Sequence, residues 1–237
     1  AITCSVLFAQ DRAFISILKN VSLVDVNGAI NDAQKLKKSY SKEDFESLLR
    51  SWKRIQALYF AGDINEDYID TPRYIDVFHN LNEDLKVQIQ RVIDSKDDAS
   101  IALFKNSFKS INALEYLLFN DEKITQREKE LMNVVINSLI SHLSDIKGVY
   151  ENYLNGEQKE EKWENAVILN TLIASIYKLK EWRIGDPAGL SSKYEGDLDN
   201  KRAEYFLSKN SFHAIEAIVN AHEEAVGNKP YYNFASM

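Results

Sequence analysis

Residues 41–62 read SKEDFESLLRSWKRIQALYFAG, and their apolar positions recur with the period of an α-helix. Ser41 followed by Asp44 is close to the capping box that begins many helices, and Gly62 is a typical helix end. The apolar positions are Phe45, Leu48, Leu49, Trp52, Ile55 and Tyr59. The pattern therefore predicts an amphipathic helix.

Seven further blocks have helical character, and none shows the alternation bounded by turns that is typical of strands. The chain of 237 residues contains only 8 glycines and 3 prolines, far fewer than the many tight turns of a sheet protein require. The sequence therefore predicts an all-α protein. The further blocks cover about 6–38, with a bend at Gly28, 81–94, 98–119, 125–154, 160–180, 198–207 and 212–225. The block at 125–154 begins with Thr125 and Glu128, which have the spacing of a capping box.

The eight blocks divide into two sets of four, which predicts two packed four-helix bundles. Residues 110–115, SINALE, align with residues 211–216, SFHAIE, at three of six positions. An internal duplication and chance similarity explain this weak match equally well. The predicted domains are an N-terminal bundle of residues 1–122 and a C-terminal bundle of residues 123–237.

Charge and cysteine content exclude several classes of protein. The net charge is −7, with 36 acidic and 29 basic residues and no basic stripe, so we expect no nucleic-acid partner. The single cysteine excludes an internal disulfide and a cysteine-rich zinc site. No apolar run approaches the roughly 20 residues that cross a bilayer, so we expect no transmembrane segment.

The N-terminus leaves the location of the protein open. The first eight residues, AITCSVLF, are short for a signal peptide and lack its basic start. The protein is therefore either cytosolic or numbered from a point after a removed signal. Cys4 is either a buried or free thiol or the remnant of a lipid-attachment site.

Glu115 is the most informative residue of the predicted fourth helix. It lies in the middle of an apolar stripe, with Asn112 one turn earlier at its edge. A buried carboxylate is costly unless it is paired, protonated or bound to a metal. We expect its partner to be a cation, an arginine or backbone amides, either to anchor a loop or to form a ligand site. The stripe is Ile101, Phe104, Phe108, Ile111 and Leu118, and the candidate arginines are Arg54, Arg73 and Arg183.

Two histidine positions complete the candidates for chemistry. His79 lies in an irregular segment, where binding residues often occur, although a role without function is the simpler interpretation. His213 and Glu216 have the spacing of a ligand pair, but both lie off the apolar stripe of the last helix. We therefore predict that they are solvated.

The string SINALEYLLFN, residues 110–120, resembles the signature helix of the imelysin family, in which a Gly-x-His-x-x-Glu motif runs into a leucine-rich end. The end of the second helix, YFAG at residues 59–62, and the loop RIGDPAG at residues 183–189 also resemble that family. The resemblance implies two four-helix bundles and a location in the bacterial periplasm or on a lipid anchor. It also implies an association with iron uptake, in a family first classed as metallopeptidases.

The motif departs from the family pattern at two of its three positions. Its glutamate is Glu115, but Asn112 replaces the histidine and Ser110 replaces the glycine. An asparagine amide is a poor substitute for imidazole on iron or zinc. The candidate ligands are thus Glu115, Asn112 and His79, with Arg73, Arg183 and Asp186 as loop partners.

Three functions remain open at this point. The first is a non-enzymatic exported protein that assists uptake of a metal, with iron or another divalent cation as cofactor and an iron-uptake component as partner. The second is a metal-dependent peptidase, for which the sequence lacks a His-Glu-x-x-His motif. The third is a metal-free helical interaction module.

Overall fold

The computed structural model describes residues 12–80 and 83–236, and within these residues the chain forms helices and no strand, as the sequence predicts. Helix α1 runs without interruption through a short π-helical turn, Leu18–Ser22. The long helices are α1 (Ala13–Ile17, Leu18–Ser22 and Leu23–Ser39), α2 (Lys42–Ala57), α3 (Leu85–Asp94), α4 (Ile111–Phe119), α5 (Gln126–Asn155), α6 (Glu161–Lys178) and α7 (Ser211–Val226).

Short helical pieces connect these long helices. The π-helical turn Leu179–Gly185 continues α6 directly and leads into Asp186–Ala188. The remaining pieces are the helices Ala61–Ile64, Thr71–Ile75 and Ala99–Ala102, and the 3-10 turns Glu66–Tyr68, Asn106–Lys109, Asn200–Arg202 and Phe234–Ser236. Much of the chain between α2 and α4 is therefore irregular.

Side-chain caps fix where two of the helices begin. The hydroxyl of Ser41 accepts a hydrogen bond from the backbone N–H of Asp44 at 3.1 Å, which begins α2 as predicted. Thr125 and Glu128 form a complete capping box at the start of α5, also as predicted. Each cap satisfies a backbone donor that the helix itself leaves free.

Three predicted helix features are wrong. The block at 98–119 is interrupted, and α4 begins only at Ser110, whose hydroxyl accepts from the N–H of Ala113 at 3.3 Å. Ile101 and Phe104, predicted to share the stripe of Glu115, lie before this break and are 62% and 71% exposed, whereas Phe108 is buried. The block at 198–207 contains only a short 3-10 turn. The irregularity of the first helix lies at the π-helical turn, and α1 runs as regular helix through Gly28.

The core is built by helices from both sides of the predicted boundary at residue 122. α1 packs between α2 and α5, and α2 also packs against α7. One hydrophobic cluster includes Phe14 and Trp52 as well as Tyr150 and Ile218. The division into two four-helix bundles and the duplication stay predictions.

Helix α1 corrects the expectation that every apolar run is short. Within the described residues, Ala13–Ser39 is long and apolar enough to cross a membrane by length and composition alone, and 44% of its most apolar window is buried inside the protein. A core helix passes the same test. The absence of a transmembrane segment therefore stays a prediction, and Cys4 lies outside the described residues.

Candidate functional site

Four buried charged residues meet between α2 and the irregular segments, and we call them the Lys53 cluster: Lys53, Asp76, Arg183 and Glu204. The ammonium of Lys53 lies 2.5 Å from Asp76 Oδ2 and also contacts a carboxylate oxygen of Glu204. Arg183 Nε donates to the other oxygen of Glu204 at 2.7 Å. All four residues are at most 8% exposed, and two positive charges balance two negative ones.

Neutral groups complete the hydrogen bonding of the Lys53 cluster. Trp52 Nε1 donates to Asp76 Oδ2 at 3.1 Å, and the N–H of Phe78 donates to Asp76 Oδ1 at 3.0 Å. Gln56 Oε1 accepts from both Lys53 and Arg183, each at 2.8 Å. Burial alone would raise the pKa of Asp76, but the charge and hydrogen bond of Lys53 outweigh it and hold that pKa well below its usual range.

Three of these four residues were not predicted from the sequence. Lys53 follows Leu49 by one helical turn, so it lies beside the apolar stripe of α2, where a lysine is unusual. The position of Lys53 beside this stripe was the feature of the sequence that could have predicted its burial. Asp76 and Glu204 lie in irregular chain, where no periodicity indicates burial. Arg183 was predicted as a loop partner, and it pairs with Glu204 rather than with Glu115.

Glu115 is buried, as predicted, with 8% of its surface exposed. Its carboxylate accepts a hydrogen bond from the backbone N–H of Ser208 at 2.8 Å. Burial raises the pKa of Glu115, and the hydrogen bonds from Ser208 oppose this. Of the predicted kinds of partner, the structure shows a backbone amide rather than an arginine, because residues 203–210 are irregular and offer a free backbone donor.

The three candidate arginines pair with other carboxylates. Arg73 lies 3.0 Å from Asp70 on the surface, Arg183 binds Glu204, and Arg54 Nε donates to Asp25 Oδ1 at 2.7 Å. Glu115 is therefore held by a backbone amide, and among the residues that the structure describes its carboxylate has no arginine partner within 4 Å.

Asn112 also binds an irregular segment. Its Oδ1 accepts a hydrogen bond from the backbone N–H of Val77 at 2.8 Å. Since Glu115 binds Ser208, the motif side chains of α4 fasten the segment at 76–80 and the segment at 203–210 to the same helix. These are the two segments that supply Asp76 and Glu204 to the Lys53 cluster.

His79 forms a separate contact with the loop that follows α6. Its Nε2 lies 2.9 Å from Asp186 Oδ2, and its ring stacks on Trp182 at 4.6 Å with an angle of 8° between the planes. Its φ of 63° is a left-handed conformation, which is uncommon for a residue other than glycine. Burial lowers the pKa of His79, and the charge of Asp186 partly compensates.

The predicted metal ligands do not form a common site. Asn112 and Glu115 are engaged with two different backbone donors, and His79 is engaged with Asp186. Across residues 12–80 and 83–236, no group of three or more His, Cys, Asp or Glu side chains is placed to hold a metal ion. The residues present therefore do not fit the metal site that the family resemblance implies.

An open cleft of about 480 Å³ lies beside the Lys53 cluster. Arg183 and Asp76 reach it from the cluster, and Arg73, Lys178 and Trp182 also line it. The remaining lining residues are Gln56, Ala57, Tyr59, Asp63, Ile69, Pro72, Phe78, Asn80, Asn170, Thr171, Ala174, Ser175 and Ile218. Its volume is in the range of small-molecule sites.

His213 and Glu216 lie on the surface, as predicted. The side chains are 41% and 56% exposed, His213 Nδ1 lies 3.0 Å from Glu46, and Glu216 pairs with Arg50 at 2.7 Å. They bind separate partners.

Comparison with known proteins agrees with the helical architecture. The chain is similar to the crystal structure of an imelysin-like protein from Psychrobacter arcticum 273-4, with a TM-score of 0.72 and 15% identity over 90% of this chain and 72% of that one. At this identity the likeness concerns the fold alone. A search of curated proteins finds no match. The family model described as imelysin matches residues 27–236, and the chain therefore belongs to the imelysin family.

Proposed function

We propose that this chain is a non-enzymatic binding protein that assists metal uptake, with iron as the metal, and that it works in the periplasm or on a lipid anchor. Family membership supports the general role. The observation that carries the non-enzymatic part is the engagement of Glu115 and Asn112 in hydrogen bonds to backbone amides. Side chains that fasten loops in this way are not free to position a metal or a water molecule.

The charge balance of the Lys53 cluster supports the same conclusion. Its two cations and two carboxylates neutralise one another and are buried, so the cluster holds the irregular segments in place. A general base needs a carboxylate or imidazole that can take up a proton near neutral pH. Asp76 does not meet this need, because its pKa is held well below the usual range.

The protein therefore takes part in uptake of a metal that is bound by a chelator or by a partner protein, and it does not bind the bare ion itself. A bare ion requires several converging donors, and the candidate donors of this chain point to different partners. A chelated ion arrives with its own ligands. The protein then has to recognise only the outside of the complex, for which the open cleft is available.

Two measurements test this function. In the native host, deletion of the gene should reduce growth under iron limitation, and wild-type protein supplied in trans should restore it. Unchanged growth and unchanged cellular iron would contradict a role in iron uptake.

The second measurement concerns catalysis and uses the purified full chain with an unfolded protein substrate, with and without a chelator. We expect no cleavage in either condition. Chelator-sensitive cleavage that survives repurification and is lost in Glu115→Gln would overturn the non-enzymatic assignment in favour of a metallopeptidase. If neither cleavage nor an effect on iron uptake were found, the metal-free interaction module would remain.

A further inference from the structure

We propose that the cleft beside the Lys53 cluster binds a small organic acid with two or more carboxylates, held by Arg73 and Lys178. The cations and the lining of the cleft themselves support carboxylate recognition. Only its link to metal rests on the proposed function, because polycarboxylates are oxygen chelators suited to hard cations.

The two cations at the cleft have little competition for an anion. Arg73 lies 3.0 Å from Asp70, but both side chains are more than half exposed, and such a surface pair is weak. Within the described part of the chain, Lys178 forms no ion pair, and its ammonium lies 5.7 Å from the centre of the Trp182 ring. Both cations are therefore available to a ligand.

Apart from Asp70, which pairs with Arg73 but does not line the cleft, the remaining charges leave the cleft positive. Arg183 and Asp76 are neutralised within the Lys53 cluster. The other acidic residue that lines the cleft is the exposed Asp63, against Arg73 and Lys178. Burial and the charges of Arg183 and Arg73 lower the pKa of Lys178, as expected where positive groups converge.

The uncharged lining favours an organic molecule over a bare inorganic anion. Trp182, Ile69 and Pro72 offer apolar surface, while Asn170 and Thr171 offer neutral hydrogen-bonding groups. The planar fork of an arginine matches the two oxygens of a carboxylate. A volume of about 480 Å³ admits a ligand of this kind together with water.

Citrate is the probe for the test, and titration calorimetry on the full chain is the measurement. We expect saturable binding of one citrate per chain, weakened at least about tenfold in Arg73→Gln and in Lys178→Gln. The matched control is Lys180→Gln, because this nearby lysine is 78% exposed and pairs with Glu181 outside the cleft. It should bind as wild type does. Arg73 and Lys178 are at the surface, so both variants should fold, which circular dichroism checks.

Three results would overturn carboxylate recognition in the cleft. The first is no saturable heat up to about 5 mM citrate, which is weaker than ordinary ligand binding. The second is equally tight binding of inorganic phosphate, which would indicate a general anion site. The third is wild-type affinity in both cleft variants.

A further titration with ferric citrate distinguishes a failure of this inference from a failure of the proposed function. Binding of citrate and of ferric citrate supports both. Binding of citrate with rejection of ferric citrate supports carboxylate recognition and contradicts uptake of a chelated metal through this cleft.

Discussion

The side-chain oxygen of Asn112 accepts a hydrogen bond from the backbone N–H of Val77 at 2.8 Å. Asn112 occupies the position at which the family motif has a histidine. In this chain that position anchors the segment that delivers Asp76 to the Lys53 cluster. The residue therefore has a mechanical role, because it holds the segment at 76–80 to α4.

Introducing the histidine of the family motif by Asn112→His should destabilise the protein. The change replaces the amide oxygen that accepts from the Val77 N–H by a nitrogen of a larger ring, which accepts only in one tautomer, and a buried donor left unpaired costs about 1–3 kcal/mol. Denaturant unfolding measures this loss, and Asn112→Asp, which keeps an acceptor oxygen, serves as the control. Zinc titration of Asn112→His should show no gain in affinity. Tight zinc binding by this variant at unchanged stability would contradict our interpretation of the site.

The relative stabilities of Glu115→Gln and Glu115→Leu should show which kind of group is the partner of Glu115. With an arginine partner, the Gln variant would leave a buried charge unpaired at about 3–5 kcal/mol. With Ser208 as the partner, Gln keeps an acceptor and should cost below about 1 kcal/mol, whereas Leu leaves the Ser208 N–H unpaired at about 1–3 kcal/mol. Chemical denaturation of both variants decides between the two partners.

The pH dependence of these variants provides a second check. The pKa of Glu115 is raised above its ordinary 4.5, so its contribution to stability is present below that value and is lost as the pH rises through the folded-state pKa. Glu115→Gln should therefore gain stability relative to wild type between acidic and neutral pH. A constant difference from pH 4 to 7 would contradict a raised pKa.

Lys53→Met should be among the most destabilising single substitutions in the chain. It leaves Asp76 and Glu204 buried with Arg183 as the remaining cation of the cluster, and breaking a buried pair costs about 3–5 kcal/mol. The exposed Lys35→Met, which removes a surface pair with Asp32, is the matched control and should change stability by less than about 1 kcal/mol. Similar small losses in both variants would show that the cluster contributes little.

Protonation of Asp76 in acid should reduce the stability that the Lys53 cluster contributes to the folded protein. Its folded-state pKa is lowered from 3.8, so the stability it contributes is complete above the unfolded pKa and is lost as the pH falls below it. Asp76→Asn should therefore be less stable than wild type at neutral pH and approach wild type in strong acid. Unfolding curves over this range test the convergence.

The stacking of His79 on Trp182 should make tryptophan fluorescence depend on pH. A protonated imidazole quenches an adjacent indole, and burial lowers the pKa of His79 below 6.5. As the pH falls, tryptophan emission should decrease with a midpoint below pH 6.5, and this decrease should be absent in His79→Gln. The control is His142→Gln, since His142 packs against Tyr74, and it should keep the transition. Persistence of the transition in His79→Gln would assign it to another group.

The sequence predicted the features that periodicity and local capping determine. The apolar stripe of α2 and the caps at Ser41 and Thr125 are properties of neighbouring residues, and the structure confirms them. The burial of Glu115 was also predictable, because α4 is itself periodic. The break at Ser110 was not recognised, although a serine followed by a helical run is a typical N-cap.

The candidate site was predictable only in part, because its residues meet through irregular chain. Glu204 contacts Lys53 across 151 positions of sequence, and no local pattern encodes that approach. Arg183 and Asp186 were identified from the loop after α6, but their pairing with Glu204 and His79 was not predicted. Partner choice depends on tertiary packing, which a single sequence does not specify.

The Lys53 cluster also imposes an order on the growing polypeptide. During synthesis from the N-terminus, Lys53 and Asp76 leave the ribosome first and can already pair with each other. Arg183 then adds a positive charge that stays unmatched until Glu204 follows, 21 residues later. The charge balance of the interior is thus completed only when Glu204 has been made, and a chain that stops before Glu204 would carry a cationic interior that resists burial.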